Sequence, residues 1–157
     1  MIEDSLQAIE GQMILRTESL VKIYGSRKVV DGPSIQVQQG EIVGLLGPNG
    51  AGKTTTFYMT VGMVQPNSGK IFLDDTEITK YPMYKRAQMG VGYLAQEASV
   101  FRTMSVADNI MGVMEMAHFT KEYRKQRLEE LISEFGLEKI RKSKGIQLSV
   151  GERRRTE

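Results

Sequence analysis

Apolar and polar positions alternate over residues 13–24, which predicts a strand there. Gly25-Ser26-Arg27 reads as a turn. Residues 28–33 and 34–38 supply another strand, in which Ile35 and Val37 alternate with polar neighbours. The pattern changes after the turn Gln39-Gly40-Glu41. Residues 41–46 form an almost unbroken apolar run, the signal of a buried strand, and a helix is expected from Thr54 to Val61. The dense turn Gln65-Pro66-Asn67-Ser68-Gly69 leads into a strand over 70–74. Pro82 suits the first position of a short helix over 83–88, and 90–95 reads as a second apolar strand. Beyond Gln96 the period becomes helical. Ser105 and Asp108 resemble a capping box ahead of Val106, Ile110, Val113, Met114 and Ala117. Thr120 caps the next helix, whose stripe is Tyr123, Leu128, Leu131, Ile132 and Phe135, with Gly136 as its stop. Met111, Met114 and Met116 fit core or interface packing.

Between the strand over 41–46 and the helix stands Gly47-Pro48-Asn49-Gly50-Ala51-Gly52-Lys53-Thr54-Thr55. It satisfies G-x-x-x-x-G-K-[ST] in its required context, strand before and helix after. Backbone N–H groups and the positive helix end converge there and favour phosphate. Gly50 and Gly52 permit close approach, Lys53 reaches the β- and γ-phosphates, and Thr54 is a ligand for Mg²⁺. Gly90-Val91-Gly92-Tyr93-Leu94-Ala95 formally matches a dinucleotide fingerprint, but its glycines begin a strand instead of opening a helix, so no such site is expected.

Composition narrows the classes. The chain has 157 residues and a net charge of +2, which sets no global field for nucleic acid. Its basic residues cluster late: Arg141, Lys142, Lys144, Arg153, Arg154 and Arg155 face only Glu152. This is either a solvated face or a contact to phosphate or an acidic partner. No cysteine is present and His118 is the sole histidine, so disulfides, thiolate metal sites and histidine clusters are excluded. No stretch is apolar enough to span a bilayer and the acidic first dozen residues are no signal peptide, so a cytoplasmic protein is expected. Residues 1–12 read as a loose arm or one helical turn.

A second constellation is Leu148-Ser149-Val150-Gly151-Glu152, where Ser149 and Gly151 at a helix start offer another anion-binding terminus. Together with the phosphate loop it resembles the LSGGQ signature of ATP-binding-cassette (ABC) ATPases. The resemblance spans the chain after its first dozen residues. It implies that Tyr24 stacks on adenine, that Gln96 reaches Mg²⁺ and the attacking water, and that Lys53 and Gln96 serve catalysis. Narrower likeness is carried by Thr54-Thr55-Thr56-Phe57-Tyr58-Met59, Pro82-Met83-Tyr84-Lys85-Arg86-Ala87, Gln96-Glu97-Ala98-Ser99-Val100-Phe101-Arg102 and Gly151-Glu152-Arg153-Arg154-Arg155. These runs resemble the ATPase subunits of bacterial lipopolysaccharide exporters. That likeness implies ATP and Mg²⁺ as cofactors, a homodimer, and inner-membrane partner subunits gripped through Phe101 and Arg102, with peripheral placement on that membrane.

The implied fold is α/β, a P-loop NTPase core of ABC type with an N-terminal antiparallel part and a helical subdomain. Its divisions are 1–12, 13–96 and 97–157. Two departures stand out. Val150 replaces the signature's first glycine, and Glu152 its glutamine, the latter in keeping with the exporter subfamily. Up to Glu157 no apolar run ending in Asp-Glu appears, so against the family's pattern the given residues are expected not to include the C-terminal strands with its catalytic glutamate. Asp74-Asp75 is read as a turn, and His118 does not substitute for the switch histidine. The chain is expected to bind nucleotide with little hydrolysis and to be poorly stable. The competing readings are another P-loop enzyme such as a GTPase or kinase, the ATPase subunit of another ABC transporter, and a non-catalytic fragment that docks on membrane subunits.

Overall fold

The computed structural model describes residues 13–97 and 99–157; the expected N-terminal arm lies outside them. The described residues form two compact units, one running to Tyr93 and one from Leu94 to Glu157.

The first unit is built on one long strand, β1 (Ile14–Tyr24). Along one edge it pairs with β2 (Arg27–Asp31) near its end and with β3 (Gln36–Gln38) near its start. Along the other edge it pairs with β4 (Ser68–Leu73), which in turn pairs with β5 (Thr76–Glu77). Every ladder is antiparallel, as the alternating pattern suggests. Arg27, expected in the turn, belongs to β2, because Gly25 and Ser26 alone close the hairpin. The buried face carries Leu20, Val30, Ile71, Leu73 and Ile78, and α1 (Lys53–Val61) packs Met59 among them.

Two expected strands do not form. Residues 41–46 and 90–95 belong to no ladder. A strand buried on both faces needs hydrogen-bonded neighbours on both edges. Among the described residues none lies beside 41–46, and Ile42 and Leu46 are 98% and 92% exposed. In the second run, Val91 packs against the core and Tyr93 meets Tyr58 edge-on, with ring centroids 6.3 Å apart.

Helix α1 is clamped at its far end. Gly62 turns left-handed, and the N–H groups of Gly62 and Met63 return to the carbonyls of Met59 and Tyr58. Arg86 adds to this, sharing the Met59 carbonyl with Gly62. It sits on α2 (Met83–Gln88), which starts after Pro82 as its cap and not as its first helical residue. The Arg86 side chain is fully buried. Its guanidinium donates to the carbonyls of Met59 (2.8 Å), Thr60 (2.6 Å), Thr79 (2.9 Å) and Tyr81 (2.9 Å). Burial lowers its pKa from the ordinary arginine value. The carbonyl end of a helix carries partial negative charge, which a planar five-donor cation satisfies better than any neutral residue.

The second unit is helical. Ser105 caps α3 (Val106–Met116), accepting the Asp108 N–H, and Thr120 caps α4 (Lys121–Glu134) in the same way. Two short 3-10 turns, Glu138–Ile140 and Gly145–Gln147, lead to α5 (Val150–Thr156). Val106, Met114, Leu128, Ile132, Leu137 and Leu148 form its core. The expected stripes are wider than the buried ones: Val113, Ala117, Tyr123 and Phe135 stay exposed, as does Met116, expected in core or interface packing.

Replacing Arg86 by leucine takes a donor from four buried or half-buried carbonyls, of which only that of Met59 keeps another among the described residues (the Gly62 N–H), and is expected to cost about 3 kcal/mol or more in urea denaturation. Arg86→Lys is expected to recover little, since one ammonium cannot reach four acceptors spread around a plane.

Candidate functional site

Residues 47–52 of the expected phosphate loop lead directly into α1, and β2 fixes where they meet it. Gly52 is the residue before α1, at φ 80° and ψ 5°, in the left-handed region that favours glycine. It also lies against the strand: a methyl group placed there would come within 2.4 Å of the Val29 carbonyl oxygen and 2.9 Å of Val30 Cγ2. No other residue fits this position. Thr56 closes the first turn, its N–H and its hydroxyl both bonding the Gly52 carbonyl at 2.8 and 3.0 Å.

The remainder of the loop, Gly47, Pro48, Asn49, Gly50 and Ala51, is exposed. Lys53 folds back along it, and its ammonium donates to the carbonyls of Gly47 (2.7 Å) and Pro48 (2.8 Å). Thr54 is exposed, Thr55 is half-buried, and neither hydroxyl has a partner among the described residues. Tyr24 ends β1 with half of its surface exposed, and Lys22 Nζ stands 5.2 Å from the centre of its ring.

The other expected site residues lie in the second unit. Gln96 is exposed in a bend, and its side chain has no partner among the described residues. That bend is tied to α5: Arg154 donates to the Ala95 carbonyl, and Ser99 donates to the Glu157 carboxylate. The segment carrying Gln96 and the helix that begins at the signature are therefore joined within one unit.

Ser149 caps α5 through a complete capping box. Its hydroxyl accepts the Glu152 N–H at 3.3 Å, and the Glu152 carboxylate accepts the Ser149 N–H at 2.8 Å. The backbone and hydroxyl of Ser149 hold that carboxyl below the usual glutamate range. An acidic side chain thus already sits on the expected anion site. Val150 and Gly151 are exposed, and a methyl on Gly151 would meet nothing within 4 Å.

Much of the late basic run is spent internally. Arg141 forms a two-pronged bridge to Glu129, and Arg155 donates to the Phe135 carbonyl. With Arg154 on Ala95, three of the guanidinium groups are consumed by structure.

Phe101 is 57% exposed on the wall of an apolar groove of about 530 Å³, with Val113, Leu131 and Phe135 also lining it. Arg102 beside it is exposed. Two features fix this loop. Gly145 approaches so closely that a methyl would lie 2.8 Å from the Phe101 carbonyl oxygen. Asn109, buried on α3, accepts the Phe101 N–H at 2.6 Å and donates to the carbonyls of Phe101 (3.2 Å) and Ser105 (2.8 Å). Sequence reasoning passed over Asn109. Its signal was a polar residue on the apolar face that Val106, Ile110 and Val113 define.

Comparison with known proteins adds the following. A family model described as "ABC transporter" matches residues 30–157. The lipopolysaccharide export system ATP-binding protein LptB of Acidithiobacillus ferridurans is 56% identical over 144 residues, covering 92% of this chain and 60% of the relative. The protein of the same name from Escherichia coli K12 is 52% identical over 144 residues, covering 91% and 60%. A probable ABC transporter ATP-binding protein of Azorhizobium caulinodans is 50% identical over 154 residues, covering 98% and 55%. The chain therefore spans about 60% of the length of the LptB relatives. Among solved structures, an ATP-binding cassette of an ABC transporter in its ADP conformation superposes with a TM-score of 0.74 at 23% identity, covering 93% of this chain and 63% of the other.

Asn109→Leu keeps the volume and removes all of the bonds to the Phe101 loop. It is expected to lower stability by about 1–3 kcal/mol in thermal denaturation and to speed amide exchange selectively at residues 101–105.

Proposed function

Because this chain belongs to the ABC transporter family, we propose that it is the ATP-binding part of a subunit that powers lipopolysaccharide export. The observation that carries the nucleotide reading is the sequence over 47–55 at the start of α1, where a left-handed Gly52 pressed on β2 fixes where the helix begins, and a helix start favours phosphate. The substrate reading draws on the LptB relatives at 56% and 52% identity.

On this reading the loop amides and Lys53 take the phosphates of ATP, and Tyr24 stacks on its adenine through the ring face that Lys22 leaves open. The unpartnered hydroxyl of Thr54 suits a hard cation, and the family resemblance assigns Gln96 of the second unit a role toward the same ion. Among the described residues no cluster of three acidic or histidine side chains competes for a metal. Bound Mg²⁺ would neutralise charge on the β- and γ-phosphate oxygens. Ser149 and Gly151 of a second copy close the site, which makes the working unit a homodimer. There the Glu152 carboxylate gives way as the phosphates arrive, or turns aside while the Ser149 hydroxyl stays. Phe101 and Arg102 dock inner-membrane subunits and keep the protein at the cytoplasmic face. No described helix is long and apolar enough to cross a membrane.

The 157-residue chain is expected to bind fluorescent ADP and ATP analogues, and Lys53→Ala to weaken both by about tenfold or more. Binding indifferent to Lys53 would overturn the nucleotide reading. Phe101→Ala is expected to abolish co-purification with the inner-membrane subunits of a lipopolysaccharide exporter while leaving ADP binding unchanged. Retention on those subunits would remove Phe101 from the docking surface.

A further inference from the structure

The hairpin that carries Tyr24 contains a β-bulge. Lys22 pairs with Val30, but the next pairs are Ile23 with Lys28 and Tyr24 with Arg27, so Val29 is the extra residue. In a regular strand Arg27 and Val30, three apart, would point to opposite faces. The bulge restores them to one face, shared with Lys22 and Tyr24. Two contacts agree with that count. Val30 Cγ2 lies 2.9 Å from a methyl placed on Gly52, and Arg27 Nη2 lies 4.0 Å from a methyl placed on Gly50. The Arg27 guanidinium therefore stands beside the phosphate loop, on the face that also displays the Tyr24 ring.

The neighbouring cations are already committed. Lys22 Nζ donates to the Gln65 carbonyl at 2.6 Å, Lys28 pairs with Asp31 at 3.0 Å, and Lys53 holds the carbonyls of Gly47 and Pro48. Arg27 is exposed, and its guanidinium has neither a hydrogen bond nor an ion pair with any described residue. A bulge that costs a ladder pair here places an uncommitted five-donor cation between the base platform and the loop.

From this geometry we infer that Arg27 is a nucleotide-contacting residue whose guanidinium bonds the phosphate chain on its base-proximal side, at the α-phosphate. The inference rests on the nucleotide reading of the loop. It separates two tasks: Lys53 answers the β- and γ-phosphates from within the loop, and Arg27 answers the α-phosphate from the hairpin. The α-phosphate is common to ADP and ATP, so the contact is blind to the terminal group.

The test is titration of the 157-residue chain and its variants with ADP and ATP. Arg27→Ala is expected to weaken ADP and ATP by the same factor, about fivefold or more, with an unchanged melting temperature and a shallower salt dependence. Arg27→Lys is expected to keep part of the affinity, and Lys28→Ala, one residue away on the opposite face, all of it. Wild-type affinity of Arg27→Ala for both nucleotides would overturn the contact. A loss confined to ATP would overturn the assignment to the α-phosphate, and an equal loss in Lys28→Ala would reduce the effect to general charge. Failure of the wild-type chain to bind either nucleotide would overturn the nucleotide reading itself. Lys53-dependent binding without Arg27 dependence would overturn the present inference alone.

Discussion

A helix that opens on an exposed loop must be held without help from the loop, and here both ends of α1 are held by other elements. At its start Gly52 is pressed on the backbone of β2, where nothing larger than hydrogen fits. At its end a buried guanidinium collects two of its carbonyls and two more from the chain leading into α2. Arg86 has no carboxylate partner among the described residues, so its charge is balanced there by carbonyl dipoles. That is workable because helix-end carbonyls are poorly satisfied otherwise. The sheet and the helix thereby position the loop between them, and the loop itself is free to remain exposed.

The antiparallel part was legible because period-two alternation and local turn chemistry specify hairpins without distant information. The helical unit was legible for the same reason: Ser105, Thr120 and Ser149 announce their helices through hydroxyls that accept N–H groups three residues on. What could not be read was pairing. Residues 41–46 have the composition of a central strand, but a strand exists only as a partner in a ladder, and composition does not name the partner. The bulge at Val29 was equally silent, because register is set across the hairpin and not along it. Asn109 and Arg86 escaped for a related reason. Each looks like an ordinary polar residue on a helix, and their importance comes from backbone groups outside their own helices, on α1 for Arg86 and in the loop before α3 for Asn109.

The signature segment shows how local and functional demands share residues. Its serine and glutamate complete a capping box that fixes the start of α5. The same serine belongs to the motif expected to meet phosphate. In the sequence Glu152 stands out as the one acid in the late basic run and as a substitution for glutamine. In the structure it is a carboxylate whose charge the helix start welcomes, which gives the substitution a folding rationale of its own.

The two carbonyls that hold Lys53 have one further consequence. An ammonium bound in this way is electrically quieter than a lone one, since part of its field is cancelled by the dipoles it touches. A small anion arriving alone gains little by displacing them. A polyphosphate gains more, because it brings several oxygens to the amides at once and repays the exchange many times over. On the proposed nucleotide reading, the loop's selectivity would thus be partly a matter of valency, set by how many contacts a visitor can make together before the base or the sugar is consulted.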